Sequence, residues 1–81
     1  MNMFIIATAA RLAAEIVTGG PCHVMQGRDA GTLYEINHGR ELIARVTTSG
    51  VEWQAQRRQP ERFFALIHNF LPVAKRVARC W

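Results

Sequence analysis

Between Arg40 and Arg57 apolar and polar residues alternate on both sides of a turn dipeptide, and few folds accept that pattern. Leu42, Ala44, Val46, Val51, Trp53 and Ala55 alternate with Glu41, Arg45, Thr47, Glu52, Gln54 and Gln56, the period of two expected of a half-buried antiparallel hairpin. With Ser49 and Gly50 as a two-residue loop, Val46 faces Trp53 and Ala44 faces Ala55, so one side is apolar without any change of register. The other side then pairs Thr47 with Glu52, Arg45 with Gln54 and Ile43 with Gln56.

The flanking chain supplies what such a hairpin needs to cover it. Met3 to Thr18 has the pattern of a helix whose polar residues Thr8, Arg11, Glu15 and Thr18 form one narrow stripe on an otherwise apolar cylinder. Asn2 is its expected N-cap, and Gly19-Gly20-Pro21 its stop. Cys22 to Gln26 and Thr32 to Ile36 are expected strands, separated by a turn at Gly27 to Gly31. A three-residue loop at Asn37-His38-Gly39 sets Tyr34 opposite Leu42 and places Tyr34 and Ile36 on the same face as Val46 and Trp53. Leu33 and Ile43 then point outward as a small apolar spot.

A second helix begins at Gln59-Pro60-Glu61, with proline suited to a first turn and an acid near the positive end of the dipole. Phe63, Phe64, Leu66, Ile67, Phe70 and Leu71 form its apolar face, which is expected to pack on the sheet, with Glu61, Arg62, Ala65, His68 and Asn69 outside. Pro72 should break it, leaving a short third helix from Val73 to Arg79. The expectation is an α+β fold in two layers: an N-terminal helix, a meander of three or four antiparallel strands, and two C-terminal helices. At 81 residues this is one domain, 1–81, with no internal boundary, and its size leaves room for a homodimer contact.

Two cysteines, Cys22 and Cys80, are too few for a disulfide framework and fit reduced thiols in a cytoplasmic protein. Arg11 and Glu15 interrupt the apolar N-terminal run well short of the ~20 residues a membrane span needs, so no membrane association is expected.

Charge is distributed unevenly. Residues 1–56 carry four basic side chains against five acids, whereas residues 57–81 carry six (Arg57, Arg58, Arg62, Lys75, Arg76 and Arg79) against Glu61 alone. The formal net charge of +4 therefore comes from the C-terminal third, which would attract phosphates or a carboxylate-rich protein surface. Trp81 is a further candidate contact, as an aromatic anchor beside this charge.

No catalytic or metal-binding spacing is present. Cys22 and His23 are strand neighbours that point to opposite faces. His38 falls in a turn and His68 on the exposed side of a helix, where a solvated histidine is the ordinary case. Cys22, His23, His68 and Cys80 lack the close paired spacing of structural zinc. Gly19-Gly20 follows a helix, so a phosphate there would meet the negative end of the dipole. No cofactor and no enzymatic activity are expected.

The order helix, antiparallel strands, helix resembles the layout of double-stranded RNA-binding domains, with Arg57, Arg58 and Arg62 at the start of the helix after the last strand. It departs from them at Gln59-Pro60-Glu61-Arg62, where that family carries a lysine-rich cluster. The open sheet face shows Arg45, Gln54 and Gln56 instead of an aromatic pair for stacking bases. The leading expectation is stoichiometric binding: a small modulator or inhibitor that docks onto a protein complex with an acidic or phosphate-binding surface, one that handles nucleic acid among the candidates. Inhibitors encoded by phages and other mobile elements, anti-CRISPR proteins included, have this size and lack of motif. The second expectation is direct binding of duplex nucleic acid through Arg57, Arg58, Arg62, Lys75, Arg76 and Arg79.

Overall fold

The structure, a computed structural model, describes residues 2–55 and 60–79, without the side chains of 78 and 79. Helix α1 (Met3–Thr18) is bounded as its sequence dictates. The Asn2 side chain accepts from the Phe4 amide at 2.8 Å. Gly19 adopts a left-handed φ of 77°, and its amide donates to the Glu15 carbonyl at 2.9 Å, which a residue bearing Cβ reaches only with strain. Four strands follow, β1 (His23–Gln26), β2 (Thr32–His38), β3 (Glu41–Thr47) and β4 (Gly50–Trp53), and helix α2 (Pro60–Arg79) closes the fold. The strands form one antiparallel meander in the order β1-β2-β3-β4.

Both hairpin registers differ from expectation, yet apart from Leu42 and Ile43 at a bulge the faces agree. At the β3–β4 turn Thr48 and Ser49 form the loop, and Thr47 pairs with Gly50, Val46 with Val51 and Ala44 with Trp53. Thr47 Oγ1 accepts from the Ser49 amide at 3.1 Å and donates to the Gly50 carbonyl at 3.2 Å, which draws the loop one residue toward β3. The resulting slip on β4 is two residues, an even number, so no side chain changes face. At the β2–β3 turn Gly39 and Arg40 make a two-residue loop, with His38 opposite Glu41 and Gly39 at φ 61°. A register shift then follows, so that Ile36 pairs with Ala44 and Tyr34 with Val46. The extra residue is Ile43. This bulge offsets the shorter loop by one position and restores Tyr34 and Ile36 to the face of Val46 and Trp53. It also overturns the expected outward position of Ile43, because Ile43 and Ala44 are consecutive and both 0% exposed. Leu33 is half-buried, so the two do not form an exposed apolar spot.

The core joins α1, the sheet and α2 in one cluster that includes Ile36, Ile43, Ala44, Phe63, Ile67 and Ala74. Five alanines of α1, Ala7, Ala9, Ala10, Ala13 and Ala14, are 0% exposed. With only a methyl group at each position, α1 lies close to β1, β2 and β3 and to α2. Helix α2 packs chiefly along α1 rather than on the sheet as expected; it touches the sheet through Phe63, whose ring lies 4.7 Å from that of Trp53.

Among the described residues two helices are present, not three, because α2 runs through Pro72 to Arg79. Proline there removes the amide that would donate to the His68 carbonyl. Pro72 and His68 are both exposed, so water can take the freed carbonyl. Burial of Phe63, Ile67 and Ala74 along one continuous stripe holds the two halves in line.

Two outcomes follow. Pro72→Ala restores a hydrogen bond on an exposed face and should raise unfolding free energy by up to about 3 kcal/mol, read by urea denaturation. Ala10→Leu forces three extra carbons into a filled interface and should lower it by about 1–3 kcal/mol in the same assay.

Candidate functional site

The basic residues expected to carry function lie mostly on α2. Arg62, Lys75 and Arg76 are exposed. Among the described residues none of the three has a carboxylate partner. Arg62, Asn69 and Arg76 recur at intervals of seven and so share one line of the helix, its ends about 21 Å apart at 1.5 Å per residue. Lys75 lies roughly 100° around the axis from Arg76, on the side of His68. The charge is thus spread along an outer helical face rather than gathered in a pocket. Arg57, Arg58 and Trp81 lie outside the described residues, as does the side chain of Arg79.

Of the described arginines elsewhere, Arg40 in the β2–β3 loop is likewise exposed without a carboxylate partner, and the other three are engaged differently. Arg11 Nη1 reaches Glu15 Oε2 at 3.2 Å along α1. Arg28 donates to Glu35 Oε1 from Nη2 at 3.1 Å and from Nε at 3.3 Å, and its backbone amide donates to Oε2 at 3.4 Å. Arg45 Nη2 lies 3.8 Å from Asp29 Oδ2. The turn between β1 and β2 therefore folds over the outer face of the sheet, and Glu35 beneath it is only 3% exposed. Of the expected open face, Arg45 is partly covered by this ion network and Gln54 is exposed; Gln56 lies outside the described residues. The Arg28 side-chain hydrogen bonds hold the Glu35 carboxyl below its ordinary value against the opposing effect of burial; the Arg28 amide and the charges of Arg28 and Arg45 act in the same direction as those bonds.

The titratable groups considered for chemistry stand apart. Cys22 is buried, with Sγ 3.5 Å from Thr18 Oγ1, while His23 beside it is exposed. His38 Nδ1 lies 3.0 Å from the Pro21 carbonyl, and its ring stands where a Cβ on Gly20 would fall, 2.7 Å from Cε1. Among the described residues no three His, Cys, Asp or Glu side chains are placed to hold a metal ion, and no helix is long and apolar enough to cross a membrane. Cys80 lies outside the described residues.

One feature escaped sequence reasoning. An open groove of about 790 Å³ runs between α1 and β1, lined among others by Phe4, Arg11, Val24, Met25, Tyr34 and Val77. Phe4 and Tyr34 meet edge to face at 5.8 Å within it. Phe4, Met25 and Val77 are 45%, 53% and 44% exposed. Phe4 lies within an apolar run and Met25 follows Val24, so no local pattern singles them out as exposed; only the packing of α2 along α1 brings Val77 near Phe4. Comparison with protein families, curated proteins and solved structures yields no match.

The Glu35 network has a signed consequence. With its folded-state value depressed, the carboxylate stabilises the fold above the ordinary value of 4.5, and that share is lost as pH falls from there through the folded-state value. Glu35→Gln should therefore melt at lower temperature than the wild type at neutral pH, and the gap should narrow as acid is added, measured by circular dichroism.

Proposed function

We propose that this protein acts in the cytoplasm by stoichiometric binding without catalysis, docking the outer face of α2 onto an acidic surface of a larger protein assembly and modulating or blocking it. The observation that carries this reading is the contrast in how its cations are used. Arg11, Arg28 and Arg45 are each engaged by a carboxylate of the same chain, whereas Arg62, Lys75 and Arg76 stand exposed along one helix with none among the described residues, as only the single loop residue Arg40 does elsewhere among them. Exposed, unpaired guanidinium groups retain their capacity for bidentate bonds to carboxylate or phosphate. Small size and the lack of a catalytic spacing fit an inhibitor of the kind that mobile elements encode, anti-CRISPR proteins among them.

The line of charge along one helix also suits a protein face better than a duplex groove, since Lys75 is turned away from Arg62 and Arg76. The test uses the full chain and the double variant Arg62→Glu/Arg76→Glu. Affinity capture from the host or target cell should return a one-to-one protein partner with the wild type and lose it with the variant, while both bind duplex DNA and RNA negligibly at ~50 mM salt. Retention of duplex by the wild type, with affinity falling steeply as salt rises and a shallower slope in the variant, would replace this reading with direct nucleic-acid binding.

A further inference from the structure

We infer that β1 is the pairing edge of a symmetric homodimer, in which the sheet continues into a second copy of this chain and that copy closes the groove between α1 and β1. The two outer strands of the sheet differ in a way that bears on this. On β4, exposed Glu52 carries charge, and past Trp53 the amides of Gln54 and Ala55 both donate to the Ile43 carbonyl, at 2.8 and 3.3 Å, bending the chain out of register. Charge and irregular geometry are the usual means by which an edge is kept from recruiting another strand. By contrast, β1 pairs with β2 in unbroken register from His23 to Gln26 and contains no Asp, Glu, Lys, Arg or proline. Nothing in its sequence blocks a further strand.

The surface beside this edge is apolar. Of the five large hydrophobic side chains exposed among the described residues, Phe4, Met25 and Val77 line the groove, while Ile16 and Phe64 do not. The groove is also electrically quiet. Arg11 is its only formally charged lining side chain among the described residues, and Glu15 holds that guanidinium at 3.2 Å. In a two-fold contact every surface meets its own copy, so any net charge faces itself. An acidic partner would select for unpaired cations here, as on α2. A second copy selects for their absence, and a neutral edge on a chain of net charge +4 meets that condition.

Strand geometry restricts the contact further. A two-fold axis normal to the sheet leaves each residue on its own face, and residues directly opposed in antiparallel strands share a face. The axis therefore passes beside a residue of β1 and not between two, and centring the contact on the strand sets Val24 or Met25 against its counterpart.

Sedimentation equilibrium of the full chain over ~1–100 µM should show a dimer at twice the 9.2 kDa chain mass. Met25→Lys places two like charges near the axis and should weaken dimerisation by ~10-fold or more. Met25 Sδ also accepts from Nδ2 of the buried Asn37 at 3.2 Å, so some loss of thermal stability is expected, and dimerisation is compared at a temperature where circular dichroism shows both chains folded. Ile16→Lys, an equally exposed apolar position outside the groove, should leave dimerisation unchanged. A wild type that remains monomeric throughout would overturn the inference. So would a dimer indifferent to Met25→Lys, or one weakened equally by Ile16→Lys, which would mark undirected hydrophobic association.

Discussion

Close approach of backbone to backbone along α1 is the constraint on which the remaining packing rests. The five fully buried alanines contribute little side-chain area of their own. Their effect is to let neighbouring elements reach the helix backbone, where dispersion contacts are dense and voids few. Larger residues from the surroundings, Ile36 and Ile43 from the sheet and Phe63 and Ile67 from α2, supply the apolar volume. A chain of this length has few residues for a core, and using its first helix as a thin central element lets one set of side chains serve both sheet and helix. It also explains why α2 tolerates Pro72: the helix is held by a continuous buried stripe, and the hydrogen bond lost lies on its solvent side.

A second theme is where charge is neutralised. The β1–β2 turn is held to the sheet by Arg28 over Glu35 and by Arg45 near Asp29, and Glu35 tolerates burial because three donor groups of Arg28 meet its two oxygens. Those pairs occupy Arg28 and Arg45, and the exposed charges left on the strands and their turns, such as Arg40 and Glu52, are single and of mixed sign. The outer face of α2 differs, and the groove beside β1 differs again by being apolar. Two surfaces with opposite chemistry therefore lie on one small fold, and the readings proposed for them, an acidic partner for one and a second copy for the other, are independent.

Much of the architecture was legible because side-chain period survives errors of register. The strand faces of Ala44, Val46, Trp53, Tyr34 and Ile36 were readable although both loop assignments were off. An even slip at Thr48-Ser49 changes no face, and at Gly39-Arg40 the bulge at Ile43 compensates an odd one. The bulge itself left no mark, since Leu42, Ile43 and Ala44 are all apolar and any of them could be the extra residue. Helix caps were readable because Asn2 and Gly19 act through local geometry. Helix continuity at Pro72 was not, because propensity weighs against it and only the packing of Ala74 beyond it reverses the balance. The exposed cations of α2 could be named from sequence by elimination from its apolar face, while the burial of Glu35 and the groove at Phe4 and Val77 depend on contacts between distant segments.

The sequence by itself determined most of the residues that turn inward, Ile43 and Phe64 excepted, where α1 begins and ends, and that positive charge collects in the final third, because each depends on spacing or composition within a few turns of chain. Tertiary structure alone decided the registers, the packing of α2 on α1 instead of the sheet, the seating of Arg28 over Glu35, and the meeting of Phe4, Met25 and Val77 beside an unguarded strand. Those outcomes arise from competition among contacts between segments far apart in the chain, where free energies of similar size compete and local preference has no vote.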